Sequence, residues 1–91
     1  MVTVEEMKQY LRIDFSEDDN LLGILISSAE ELCASVARIP VEEYLSLPND
    51  NAKTAVLYAV AYLYEHREEA DHHQLTIDLR SLLFGVRKEG F

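Results

Sequence analysis

The sequence predicts an all-α fold: a small bundle of about four helices, with a short first helix, two long antiparallel helices and a short C-terminal helix, followed by a flexible tail. Three observations carry this expectation. Only three glycines and two prolines interrupt 91 residues, so the regular elements are few and long. Apolar residues, 48% of the chain, recur at helical spacing, and no alternating run is long enough to demand a sheet. Start and stop signals bracket each periodic segment. A single domain, residues 1–91, holds all of it, and a chain this short buries only about two thirds of its unfolded surface. Its core is modest, which leaves room for support from neighbouring copies.

Thr3-Val4-Glu5-Glu6 has the form of a capping box and starts a first helix over residues 4–12, with Val4, Met7, Tyr10 and Leu11 on its buried face. Ser16-Glu17-Asp18-Asp19 pairs a hydroxyl cap with three acids in a first turn, where the helix dipole favours them. The second helix then runs to Ala37, with Leu21, Leu22, Leu25, Ala29, Leu32, Cys33 and Val36 on one face. Pro40 ends that region, and the connector "VEEYLSLPNDN" has room for a single helical turn around Val41 to Leu45. Asn49, Asp50 and Asn51 offer caps for a third helix over residues 50–70. Thr76 or Asp78 can cap a fourth element that reaches Phe84, with Gly85 as its stop and "VRKEGF" as the tail.

Eight basic against seventeen acidic residues give a net charge of −9, the wrong sign for a chain that grips phosphate backbones. Arg87-Lys88, with Arg80 upstream, is too thin a cluster for a nucleic-acid footprint. The lone Cys33 reads as a small core residue in a reducing compartment. No basic segment followed by an apolar run opens the chain, and the longest apolar stretch, about 13 residues, is short for a membrane span. A soluble protein with no membrane partner is expected.

Chemistry is hard to find in the pattern. His66, His72 and His73 lie near Glu65, Glu69 and Asp71, but their spacing does not put them on one helix face. "DFSEDDN" lacks the central glycine and distant glutamate of a calcium loop. No serine or cysteine stands beside a histidine in a recognisable motif, and no glycine-rich phosphate loop is present. The expectation is no catalytic residue, no cofactor and no metal.

The third helix divides into two greasy surfaces on a helical wheel. Val56, Leu57, Val60, Leu63 and Tyr64 share one arc, expected to meet the second helix as core. Ala55, Tyr58, Ala59 and Tyr62 form the other. It is covered either by the first and fourth helices or by a neighbouring subunit, for which tyrosines suit the rim and alanines the close approach. These four residues are the candidate oligomer interface. Arg67 projects into the aliphatic stripe one turn beyond Leu63 and Tyr64, so it needs a carboxylate; Glu5, Glu6, Asp14 and the acids of the second helix are candidates. Tyr64 and Arg67 are therefore the candidate ion pair or hydrogen-bond anchor.

The order of pieces resembles a known family. "VTVEEMKQYLRID", an acidic gap, "DDNLLGILISSAEEL", "AVLYAVAYLYEHREEA" and a closing "LRSLLFGVRKEGF" are similar to the small head-tail connector proteins of tailed bacteriophages, also called head-completion or adaptor proteins. The most telling stretches are Leu11-Arg12-Ile13-Asp14, Asp18-Asp19, and Leu63-Tyr64-Glu65-His66-Arg67-Glu68. The segment between the second and third helices is short, where relatives can carry longer insertions.

The resemblance implies a structural virion part, made in the host cytoplasm and placed at the head-tail interface. Such proteins form a ring of about a dozen copies under the portal, extend the DNA channel and give a platform to the next stopper or tail-completion protein. Whether the ring forms before the portal is met stays open. DNA would pass through without specific binding, past acidic walls that repel it. Within this role Val86, Arg87, Lys88 and Phe91 are the candidate tail for docking on the portal or a neighbour. The competing reading is a small acidic helical regulator that binds a host protein, as a DNA mimic does. It accounts for the charge equally well but less well for the two-faced third helix, since a monomeric mimic needs no second greasy surface.

Overall fold

The computed structural model describes residues 1–69 and 71–84. Five helices form among them: α1 (Val4–Leu11), α2 (Asp19–Ala37), α3 (Val41–Leu45), α4 (Asp50–Glu65) and α5 (His72–Leu82). No strand occurs among the described residues. The all-α bundle is as expected, with the anticipated single turn of the connector present as α3.

α1 starts on the capping box its sequence encodes. The Thr3 hydroxyl accepts from the Glu6 amide at 3.1 Å, and the Glu6 carboxylate accepts from the Thr3 amide at 3.0 Å. Lys53 reaches the same carboxylate from α4 and holds the Glu6 acid below its ordinary range. Both α1 and α2 end on an arginine in the left-handed region, Arg12 and Arg38, each with φ of 60°. Behind each, the next amide reaches back five residues, Ile13 to the Lys8 carbonyl and Ile39 to the Ala34 carbonyl, closing a Schellman-type stop. Glycine is the residue that fits such a site without strain. Arg12→Gly is therefore expected to raise stability by about 1 kcal/mol, seen as a gain of roughly 4–8 °C in the thermal midpoint.

α2 begins at Asp19 and not on the expected Ser16 cap. Asp18 takes the capping position but makes no side-chain cap bond, because its carboxylate is turned to α4, where it accepts from the Tyr64 hydroxyl. With an 18-residue window of mean hydropathy 1.3, α2 is long and apolar enough by composition to cross a membrane, which its contiguous apolar run alone understates. In the bundle its apolar face is core: Leu22, Ile26, Ala29, Cys33, Ala34 and Ala37 are buried.

α4 runs antiparallel to α2. The hydroxyl of fully buried Tyr44, on α3 just after α2, donates to the Ala52 carbonyl in the first turn of α4 at 2.7 Å. At the other end, Tyr64 in the last turn of α4 meets Asp18 at the start of α2. The α2–α4 contact is the most extensive in the molecule. The buried face of α4 is Ala52, Ala55, Val56, Ala59 and Val60.

Two further element boundaries differ from expectation. α4 stops at Glu65, not near residue 70, because no large apolar side chain between Tyr64 and Leu75 gives a further turn anything to bury. α5 starts at His72, several residues before Thr76 or Asp78. Its cap is Asp71, whose carboxylate accepts from the Gln74 amide at 2.9 Å. Thr76 and Asp78 lie inside the helix instead, and Gly85 falls outside the described residues.

Candidate assembly interface

Three helices build the surface around the last turns of α4. α1 runs alongside, with Glu6 against Lys53 near the start of α4 and Tyr10 to Arg12 against its later turns. α5 descends the other flank: the Tyr58 hydroxyl donates to Asp78 at 2.7 Å, and the Tyr62 hydroxyl accepts from the Asp71 amide at 3.0 Å. Between them the described residues leave the back of α4 open. Tyr10, Leu11, Arg12, Tyr58, Ala61, Tyr62, Glu65 and His66 line a groove of about 590 Å³ there. The His66 ring stacks on Tyr62 with centroids 4.2 Å apart, and Tyr10 stands at the rim half exposed. Spacing places Tyr10 in the core, but among the described residues no element covers the end of α1.

The candidate interface residues of α4 therefore separate. Ala55 and Ala59 have no exposure within a single chain, and on the wheel they belong to the same stripe as Ala52, Val56 and Val60. Small side chains suit this position, because Ala29, Cys33, Ala34 and Ala37 among the buried residues of α2 are small as well and the two helices can approach closely. Leu57, Leu63 and Tyr64, expected in the core, are only partly buried at its margin. Of the four, only Tyr58 and Tyr62 reach the surface, where they line the groove with Tyr10 and His66. Hydrogen bonding to Asp78 pushes the Tyr58 hydroxyl above its ordinary value.

Arg67 lies beyond the end of α4 and does not cross the aliphatic stripe. Its guanidinium sits 4.7 Å from the centre of the Tyr64 ring and 3.9 Å from the Asp18 carboxylate. Tyr64, Arg67 and Asp18 thus tie the end of α4 to the start of α2, and the hydrogen bond to Asp18 raises the Tyr64 hydroxyl. With the Arg67 side chain half exposed and the ion pair long, Arg67→Ala is expected to lower unfolding free energy by only about 0.5–1 kcal/mol, read from chemical denaturation.

His72 and His73 are exposed in the first turn of α5, and no group of three or more metal-ligating side chains occurs among the described residues. Val86, Arg87, Lys88 and Phe91 lie outside the described residues. Tyr10 and Arg12 were not singled out for a contact role from sequence; the signal available was the unpaired aromatic at the end of a short helix.

No curated protein and no solved structure matches the chain. A family model does, that of the phage gp6-like head-tail connector proteins, and it matches residues 1–89. That family is a structural one and not a class of enzymes. Covered almost end to end, the all-helical chain belongs to the phage gp6-like head-tail connector proteins, components of the virion that interact with other head and tail proteins.

Proposed function

We propose that the chain assembles side by side into a closed ring beneath the portal, extends the DNA channel and presents the docking platform for the next stopper or tail-completion protein. The match to the connector family over residues 1–89 carries this reading. The geometry supports it. A ring closed by rotation needs two unlike side surfaces on each copy, and the open groove on the back of α4 is one such surface. A net charge of −9 suits a channel wall, because it repels the DNA backbone and lets the genome slide without adhering.

Phage particles assembled without the gene for this chain test the role: filled heads and free tails that fail to join support it, whereas complete infectious particles contradict it. The tail adds a finer expectation. Deleting residues 86–91 removes Val86 and Phe91, the apolar anchors of this role, with the basic pair Arg87-Lys88. Circular dichroism melting is expected to stay unchanged while ring formation or portal docking weakens; undiminished assembly would overturn the role given to these residues.

A further inference from the structure

Among the described residues the back of α4 is not the only uncovered face, and the second one is the outer face of α2, on the opposite side of the bundle. On α2 the buried residues Leu22, Ile26, Ala29 and Cys33 face α4, and the residues half a turn away form the outer face: Asn20, Ile24, Ser28, Glu31 and Ser35. Ile24 stands at its centre, 64% exposed, the most exposed large apolar side chain of any helix in the bundle. The rest of this outer face is small or polar, Leu21 and Leu25 at its flanks are partly buried, and a β-carbon added at neighbouring Gly23 would meet nothing within 4 Å. Ile24 is the one large apolar side chain of that outer face. The groove between α1 and α5 is the complementary shape, an aromatic hollow floored by Ala61 and walled by Tyr10, Tyr58 and Tyr62.

Charge agrees with shape. Arg12 on the groove and Glu31, two turns from Ile24 on the same face of α2, have no ionic partner among the described residues. By contrast Lys8, Lys53 and Arg67 are each paired with an acid. Because α2 and α4 pack against each other, their outer faces point in opposite directions. A contact between them in two copies exposes the same two faces again at either end, which is the head-to-tail geometry that closes into a ring.

We propose that the occupant of the Tyr10–Tyr58–Tyr62 groove is the outer face of α2 from the adjacent copy, with Ile24 seated in the hollow and Glu31 paired with Arg12. The assignment rests on the ring reading above and specifies its side-to-side contact. A buried apolar anchor in an aromatic pocket is the kind of residue that dominates an interface, while its removal leaves the monomer core untouched.

The test is ring yield on the portal, measured by mass and negative-stain imaging for the full chain and its variants. Ile24→Asp is expected to melt like the unaltered chain yet lose ring formation by roughly tenfold or more. Arg12→Glu and Glu31→Arg should each weaken assembly, and combining them should restore it. Independently, a chain carrying Ser28→Cys and Ala61→Cys should give a ladder of disulfide-linked multimers under oxidation, to which buried Cys33 does not contribute. Rings that form normally with Ile24→Asp, or a double-cysteine chain without a ladder although rings are present, would overturn this contact and leave the ring reading standing. An unaltered chain that forms no ring on its portal would overturn both.

Discussion

Replacing Tyr44 with alanine is expected to remove about 3–5 kcal/mol of stability. The side chain is the largest fully buried one among the described residues and the only buried residue of α3. It fills the space where α2 ends and α4 begins, and its hydroxyl closes on the Ala52 carbonyl at 2.7 Å. A domain of this length is typically stable by roughly 5–13 kcal/mol in all, so the midpoint should fall by roughly 15–30 °C. Tyr44→Phe keeps the ring and drops one hydrogen bond, and should lose only about 1 kcal/mol. If both variants melted alike, the cavity would not be the cause. The same site gives a pH dependence. Burial pushes the Tyr44 hydroxyl up and the Cys33 thiol up to about 12. A group whose pKa is raised by folding ionises first in the unfolded chain, so its stabilisation is complete at neutral pH and falls from about pH 9 upward as the thiol and then the phenol ionise. Denaturant midpoints measured between neutral and strongly alkaline pH should decline accordingly.

Ala59→Leu is expected to cost about 3 kcal/mol through overpacking, since the added carbons have to fit where α4 lies against its neighbours with no exposure at all. Ala61→Leu, two positions away and lining the open groove, should change the melting midpoint little. The pair separates core from interface on one helix. Were Ala59 part of a surface waiting for a partner, its enlargement would leave the isolated chain's stability intact and act only on assembly.

What the sequence makes legible here is local. The capping box at Thr3 and Glu6 works within four residues, so its pattern alone foretells the start of α1. The start of α5 is as local in chemistry, an Asp71 carboxylate on the Gln74 amide, but it lies in a polar stretch whose apolar periodicity begins only at Leu75, and the signal is lost among other polar residues. The end of α4 is obscured for the same reason reversed: Glu65 to Glu69 are mostly good helix formers, and only the lack of large apolar side chains to bury stops the helix. Adjacent arcs of a greasy helix are harder still. A wheel orders Ala55 and Ala59 beside Tyr58 and Tyr62 without saying where α5 will lie, and the alanines went into the core while the tyrosines stayed at a groove. The groove itself, formed by α1, α4 and the hydrogen bonds that fix α5, exists only after the tertiary fold.

The central claim, that these chains stand as a ring at the head-tail vertex, is tested most directly by imaging the portal with this chain added at saturating concentration. The expected result is one closed ring of a single stoichiometry, coaxial with the portal channel, with neighbouring copies in contact through unlike faces. A chain that stays monomeric or dimeric and leaves the portal bare would contradict it.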